Sequence, residues 1–247
     1  MFEKTEGIVI RTLDYKETHK IVTLFTKRFG KIGVIAQGVK KPRSRNGAII
    51  QMFIQGDYLL RVGKGLGTLQ QGDVIHSFRK VREDLFKTAY ASYVTELTYR
   101  VIEERVTLPY IYDQLLLTLT AIEQDKDPAI IAMMYEMKLY PLIGIKPLLE
   151  HCLACGTTSN LTYFSVGDGG TLCTSCGIKD AYSLKLNEQV IKLLRIFSEV
   201  DLKRVENISV KEENKQLLNQ VLKAYFEHHS GIFLKSRRFL DQIDSLK

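Results

Sequence analysis

The chain has 247 residues, 45% hydrophobic and 26% charged, a balance typical of a folded soluble protein and unlike that of a disordered chain. Its opening, MFEKTEGIVI, has charges at positions 3, 4 and 6 and no apolar stretch suited to a signal peptide or a membrane span. We therefore expect a cytoplasmic protein, and the formal net charge of +7 favours an anionic partner.

The positive charge is concentrated in the N-terminal third of the chain. Through residue 80 there are 15 Lys and Arg against 6 Asp and Glu, whereas the rest of the chain has 20 against 22. The hydrophobic pattern also changes near residue 80. We therefore expect two domains, at 1–80 and 81–247, with the anionic partner bound by the first.

Five apolar runs separated by turn residues predict five β-strands in the first domain, at 8–10, 21–25, 32–36, 49–54 and 58–62. Period-two alternation at Ile32, Val34 and Ala36 indicates a sheet with one buried face. Glycines at strand ends permit tight corners. The pattern predicts a five-stranded OB-type β-barrel, with an SH3-like barrel as the alternative.

After residue 80 the pattern becomes helical, so the fold class that we expect is α+β with a helical second domain. Apolar residues recur at i+4 along a helix predicted at about 81–104. Prolines at helix-starting positions predict further helices near 109–124 and 128–143. Apolar spacing indicates two more, around residues 186–197 and 218–225.

Two copies of Cys-x-x-Cys-Gly interrupt the helical pattern, with the cysteines at Cys152, Cys155, Cys173 and Cys176. In a reducing compartment this spacing is typical of one structural Zn²⁺ held by four thiolates. A hairpin between the two pairs, across the turn at 167–170, would bring them together. We predict a four-cysteine zinc module inserted at about 151–180.

Other interpretations of the cysteines are weaker. Four thiols without a metal would leave the paired spacing unexplained. Four cysteine ligands leave no open position for water, and the chain has neither a His-x-Glu nor a His-Glu-x-x-His signature, so a zinc hydrolase is disfavoured. Between residues 151 and 180 the one basic side chain is Lys179, which favours a structural module over a DNA-binding one.

A cationic loop between two predicted strands is the candidate nucleic-acid site, and its alternative is a solvated hairpin tip. It carries Lys40, Lys41, Arg43 and Arg45. OB folds bind single strands by combining such loops with stacking aromatic side chains. The full set of predicted DNA-binding residues adds Arg11, Lys16, Lys20, Lys27, Arg28 and Lys31.

Aromatic side chains of the same domain are possible stacking platforms: Tyr15, Phe29, Phe53 and Tyr58. Their alternative role is in the core, because a small barrel needs large core residues. The segment Gly63-Lys64-Gly65-Leu66-Gly67 lacks the Gly-Lys-Ser/Thr ending of a phosphate-binding loop and is better interpreted as a strand-connecting turn. We find no catalytic constellation and expect no enzyme activity.

In combination, four segments resemble the RecO family of bacterial recombination mediators: residues 6–10, residues 31–41, the double Cys-x-x-Cys-Gly motif and residues 234–240. The resemblance spans nearly the whole chain. It implies an OB-fold N-terminal domain, a helical C-terminal domain and a zinc module that some relatives lack.

The resemblance also implies a function. Members of the family bind single- and double-stranded DNA and anneal complementary strands. They work with RecR, and sometimes RecF, to load RecA onto strands covered by single-strand-binding protein, in association with the nucleoid. Three rivals stay open at this point: an RNA- or ribosome-associated OB protein, a zinc hydrolase and an assembly scaffold.

Overall fold

The computed structural model describes residues 2–206 and 208–244. These residues form two compact units, one from 2–125 together with 234–244, and one from 126–206 together with 208–233. The first unit contains the barrel and also the helices between residues 79 and 123. The division at residue 80 that composition suggests stays a prediction.

The N-terminal part of the first unit is a closed five-stranded barrel, which confirms the predicted OB-type fold. Its hydrogen-bonded order is β1-β2-β3-β5-β4, with β4 returning to β1. All pairings are antiparallel except β3 with β5, whose parallel pairing closes the barrel. The strands are β1 (Phe2–Tyr15), β2 (His19–Thr26), β3 (Gly30–Ala36), β4 (Gln55–Arg61) and β5 (Gly67–His76).

The predicted strand at 49–54 is wrong, because this segment forms turns instead of a strand. It is nevertheless buried: Ile49, Ile50 and Ile54 belong to the hydrophobic core of the barrel. Phe53 has a φ of +71°, which bends the chain, and its N–H donates to the Val9 carbonyl at 2.9 Å. The segment thus enters the barrel as an apolar plug, and the fifth strand is β5, which the sequence pattern did not indicate.

Tyr58 holds this plug in place. The Tyr58 side chain is fully buried, and its hydroxyl donates to the Ile49 carbonyl at 2.9 Å. Two glycines make room for the ring, since a Cβ at Gly56 would lie 3.0 Å from Tyr58 Cζ and one at Gly72 would lie 3.1 Å from Cδ1. Burial raises the pKa of the Tyr58 hydroxyl, so it stays a proton donor at any physiological pH.

Helices complete the first unit: α1 (Arg79–Glu83), α2 (Leu85–Val101), α3 (Pro109–Glu123) and α8 (Lys235–Asp244). The single helix predicted at 81–104 is divided at Asp84, whose extended backbone ends α1 and whose carboxylate accepts the Lys87 N–H at 2.9 Å. The carboxylate of Glu96 caps α8 by accepting the N–H groups of Lys235 and Ser236 at 3.2 and 2.8 Å. The C-terminal helix is therefore joined to α2 by hydrogen bonds.

The second unit is built around α4 (Pro128–Leu139), in which every residue from 130 to 139 is buried. The helix predicted at 128–143 ends at residue 139, because Pro141 lacks an N–H and the chain continues as a 3-10 turn (Tyr140–Ile143). The remaining elements are β6 (Leu161–Ser165), β7 (Gly170–Cys173), α5 (Thr174–Gly177), β8 (Ser183–Lys185), α6 (Glu188–Glu199) and α7 (Glu212–Ser230).

The hairpin predicted between the two cysteine pairs is confirmed as β6 and β7, and β8 adds a third strand beside β6. One face of this small sheet rests on α7. The Phe164 ring meets Tyr225 edge-on at 5.4 Å, and His229 Nε2 donates to the Val166 carbonyl at 2.6 Å. The cysteine-bearing sheet is thus packed against the helices of its own unit.

Tyr58→Phe should destabilise the barrel by about 1–2 kcal/mol, because the buried Ile49 carbonyl loses its hydrogen-bond donor while the ring remains. Chemical denaturation of the full chain measures this change. Tyr15→Phe is the matched control, since Tyr15 is only partly buried, and its effect should stay within about 0.5 kcal/mol. Equal effects of the two substitutions would contradict the anchoring role of Tyr58.

Candidate metal centre and nucleic-acid interface

The four cysteines meet at one point. Cys152 and Cys155 lie in the turn before β6, Cys173 ends β7, and Cys176 lies in α5. Their Sγ atoms all lie within 4.8 Å of one another. The hairpin therefore brings the two motifs together as the spacing predicted.

The local backbone explains both motif glycines, though for different reasons. Gly156 has a φ of +76° and donates its N–H to the Cys152 carbonyl at 2.9 Å, as expected of a glycine that turns the chain beneath a metal. Gly177 has a helical backbone instead. A Cβ there would lie 2.2 Å from the ring of Tyr163, so the second glycine is required by close packing.

The donor set suits a tetrahedral metal ion. Cys155 Sγ and Cys173 Sγ are 3.8 Å apart, and four sulfurs at about 2.3 Å from one Zn²⁺ would be separated by about 3.8 Å. A disulfide would need about 2.05 Å, and all four cysteines are free. The residues present therefore fit a zinc ion.

The thiols do not ionise alike. Burial opposes ionisation of Cys152, but hydrogen bonds from the backbone at Cys173, Cys155 and Ala154 outweigh it and lower the pKa of Cys152 to about 6. A hydrogen bond with Cys173, together with burial, raises the pKa of the Cys176 thiol to about 12. Ionising all four sulfurs together thus requires a cation among them.

Six of the predicted DNA-binding residues lie on two adjoining segments of the barrel. The turn between β1 and β2 adjoins the beginning of the β3–β4 connection, where the Lys40 N–H donates to the Thr18 carbonyl at 3.1 Å. The Gly38 N–H donates to His19 Nδ1 at 3.1 Å. We call the cations of these two segments the hairpin–loop surface: Lys16, Lys20, Lys40, Lys41, Arg43 and Arg45.

The hairpin–loop surface is open to solvent, since all of its members are exposed except Lys20, which is partly buried. Lys20 and Lys40 form ion pairs with Asp14, at 3.6 and 3.0 Å. Among the residues that the structure describes, Lys41, Arg43 and Arg45 have no acidic partner. These three cations are free to meet phosphate oxygens.

Two further predicted residues lie at the other end of β2. Lys27 directly follows β2, seven residues after Lys20, and in an extended chain this spacing separates their Cα atoms by roughly 23 Å. Lys27 pairs with Asp113 at 3.5 Å and Arg28 with Glu3 at 2.7 Å. They do not join the hairpin–loop surface.

The last two predicted cations pack on one aromatic ring of α2. The Arg11 guanidinium lies 4.4 Å and the Lys31 ammonium 4.8 Å from the centre of the Tyr99 ring. Lys31 is buried and donates to the Tyr99 carbonyl at 2.6 Å, and this burial lowers its pKa. The inclusion of Lys31 among DNA-contacting residues is therefore corrected, since its ammonium faces the protein.

The four candidate stacking platforms divide into two buried and two partly exposed side chains. Phe53 and Tyr58 are buried in the barrel, as their alternative role required, so neither ring can meet a base. Tyr15 and Phe29 are partly exposed and each lies beside a cation, Lys16 at 5.4 Å from the ring centre of Tyr15 and Arg28 at 4.9 Å from that of Phe29. Of the two, Tyr15 ends β1 and directly precedes Lys16 of the hairpin–loop surface.

The glycine-rich segment 63–67 connects β4 to β5, as interpreted from the sequence. The carbonyl oxygens of Gly63 and Gly65 both accept from the Arg105 guanidinium, the second at 2.8 Å. Because this loop presents acceptors to a cation, it does not cradle phosphates.

Comparison with known families decides the identity. A family model described as Recombination protein O N terminal matches residues 1–78, and one described as Recombination protein O C terminal matches residues 82–238. The chain belongs to the RecO family. The resemblance inferred from the sequence motifs is thereby confirmed over nearly the full length.

Curated relatives named DNA repair protein RecO agree with this assignment. The chain is 48% identical over 247 residues to the one from Bacillus subtilis, covering 97% of it, and 45% identical to the one from Bacillus cytotoxicus over the whole of both chains. The relative from Oceanobacillus iheyensis is 45% identical over 244 residues and is covered to 95%. Among the described residues, none of the helices has the length and apolar character needed to cross a membrane.

Proposed function

We propose that this RecO-family chain is a mediator of DNA repair and homologous recombination that binds single- and double-stranded DNA through its barrel. It anneals complementary strands and assists RecA loading, together with RecR or with RecR and RecF, on DNA covered by single-strand-binding protein. The observation that carries the proposal is the hairpin–loop surface, a group of exposed cations on an OB-type barrel. No catalytic step is assigned to any residue.

The chemistry of this surface suits annealing. Lysine and arginine side chains neutralise phosphates without reading bases, and the displaced counterions favour binding at low salt. Two strands bound in this way repel each other less, while their base edges stay free to pair. Tyr15, at the edge of the hairpin–loop surface, can add stacking without sequence preference.

For the cysteine cluster we propose one structural Zn²⁺, held by Cys152, Cys155, Cys173 and Cys176. The ion would cross-link the turn before β6, the end of β7 and α5, in a module too small to have a large core. Four thiolates close the coordination shell, so the ion has a structural role and activates no water.

Replacing the three unpaired loop cations together, as Lys41→Ala, Arg43→Ala and Arg45→Ala, should weaken binding of a single-stranded oligonucleotide. The logarithm of the binding constant should also depend less steeply on the logarithm of salt concentration, by roughly 0.7 for each phosphate that the variant no longer neutralises. Fluorescence anisotropy titrations between low and moderate salt measure both quantities.

The matched control removes three exposed cations from the second unit, Lys192, Lys203 and Arg204, each replaced by alanine. This variant loses the same net charge and should keep the salt slope of the unmodified protein. A loop variant that behaves like this control would exclude the loop as the DNA-binding surface. Competition with an RNA oligonucleotide of the same sequence then decides whether DNA is the preferred ligand.

Metal analysis of the purified protein should give one zinc per chain. Removal of the metal by a strong chelator should abolish hydrogen-exchange protection of the β6–β7 hairpin, whereas the barrel keeps its protection. Cys155→Ser should reproduce this effect, and Ser175→Ala, an exposed change inside the second motif, should not. A chelated protein that keeps this protection but no longer binds DNA would overturn the structural role.

The mediator role itself is tested by annealing of complementary strands, naked or covered with single-strand-binding protein. Annealing should be accelerated in both cases and, at protein concentrations below the dissociation constant, should be slower with the loop variant than with the unmodified protein. Acceleration on naked strands alone would refute the part of the proposal that concerns covered DNA.

A further inference from the structure

The Asp14 carboxylate lies between a lysine of the hairpin and a lysine of the loop in the hairpin–loop surface. Asp14, near the end of β1, places Oδ2 at 3.0 Å from Lys40 Nζ and Oδ1 at 3.6 Å from Lys20 Nζ. The two lysines come from different segments, and each meets a different oxygen. Asp14 thus holds two cations at once through two oxygens, as a phosphate group of a nucleic acid does.

The Asp14 carboxylate is accessible to solvent, and its lysine partners stabilise its ionised form. The side chain of Asp14 is 62% exposed. Its hydrogen bond with Lys40, followed by the charge of Lys40, lowers the pKa of the Asp14 carboxyl, with Lys20 contributing less. The carboxylate is therefore ionised at neutral pH, and a strand arriving from solvent can reach the same lysines.

The position of the loop does not depend on these ion pairs. The backbone N–H of Lys40 donates to the Thr18 carbonyl at 3.1 Å, and Gly38, with a φ of +64°, donates to His19 Nδ1. These bonds hold the loop against the hairpin through main-chain N–H groups of the loop, which donate to one carbonyl and one imidazole of the hairpin. Removing the Asp14 carboxylate would free the side chains of Lys20 and Lys40 without detaching the loop.

We propose that Asp14 is an intramolecular competitor of DNA phosphate, which occupies Lys20 and Lys40 in the free protein and is displaced when a strand binds. The inference rests on the proposed DNA-binding role of the hairpin–loop surface and adds to it a residue that limits affinity. Displacement keeps binding reversible, because each bound strand must compete with a tethered anion. It also lowers the net release of counterions, since the freed carboxylate recruits a cation from solution.

Asp14→Asn tests this competition because the amide keeps the shape and loses the charge. Affinity for a single-stranded oligonucleotide at low salt should increase by about two- to fivefold, the range expected for an exposed ion pair. The salt dependence should also become steeper. Asp57→Asn is the matched control, since Asp57 pairs with Lys4 at 3.1 Å on β1 and β4, away from the hairpin–loop surface, and the same charge is removed. It should leave the salt slope unchanged.

A second comparison separates competition from simple repulsion between Asp14 and the strand. In a Lys20→Gln, Lys40→Gln background, Asp14 has no lysine to occupy, so Asp14→Asn should no longer increase affinity. A gain that persists there, or an Asp14→Asn protein that binds no better than Asp57→Asn, overturns the proposal.

The outcome also separates this inference from the proposed function. If the loop variant at Lys41, Arg43 and Arg45 binds more weakly while Asp14→Asn has no effect, the DNA-binding surface stands and the competitor role fails. If neither set of substitutions changes affinity, the surface itself is excluded. Thermal unfolding of each variant establishes that the barrel is intact.

Discussion

The hydrogen bond from the buried Tyr58 hydroxyl to the Ile49 carbonyl fixes the position of the longest connection in the barrel, the one between β3 and β4. It holds the second half of the β3–β4 connection inside the barrel, where that half serves as the plug of the core. The first half contributes only Val39 to the core, presents the exposed cations, and is bonded to the hairpin between β1 and β2 through the N–H groups of Gly38 and Lys40. Gly56 and Gly72 are part of the same constraint, because a Cβ at either position would lie 2.9 Å from a carbonyl oxygen of the facing strand and would crowd the Tyr58 ring.

A cationic surface follows from this arrangement. The cations of the hairpin and those of the loop are about twenty residues apart in sequence and become neighbours because main-chain groups of Gly38 and Lys40 bond to the hairpin. Asp14 lies where the two groups meet, so the electrostatic character of the surface depends on whether that carboxylate or a phosphate occupies the lysines. The other predicted DNA-binding cations of the barrel, Arg11, Lys27, Arg28 and Lys31, have partners of their own at its other end or on α2.

Local patterns predicted what depends on local chain geometry. Alternation at Ile32, Val34 and Ala36 marked β3 correctly, and the paired cysteine spacing predicted the cluster of sulfurs. An apolar run such as 49–54 is as suited to a plug as to a strand, since both are buried, and periodicity does not separate them. The sequence pattern did not predict β5, because its second half is exposed and its apolar residues Val74 and Ile75 are adjacent, so it shows no alternation. Charge counting predicted a basic domain but not which cations would meet, because opposite ends of one strand contribute to the same total.

The two candidate sites therefore depend on different features of the sequence. The cysteine cluster is built by two short motifs and the hairpin between them, and the region from 151 to 180 has one cation, Lys179, so a metal there would serve the fold of its own unit. The hairpin–loop surface is built by contacts between distant segments and has more cations than neighbouring acids. An acidic residue inside such a surface lowers the affinity for DNA, because it repels phosphate. The proposed competitor role explains why Asp14 nevertheless lies between two lysines: it sets the strength of binding and is not needed for the fold. In the proposed annealing role, a strand has to be released for pairing, and a surface of lower affinity favours that release.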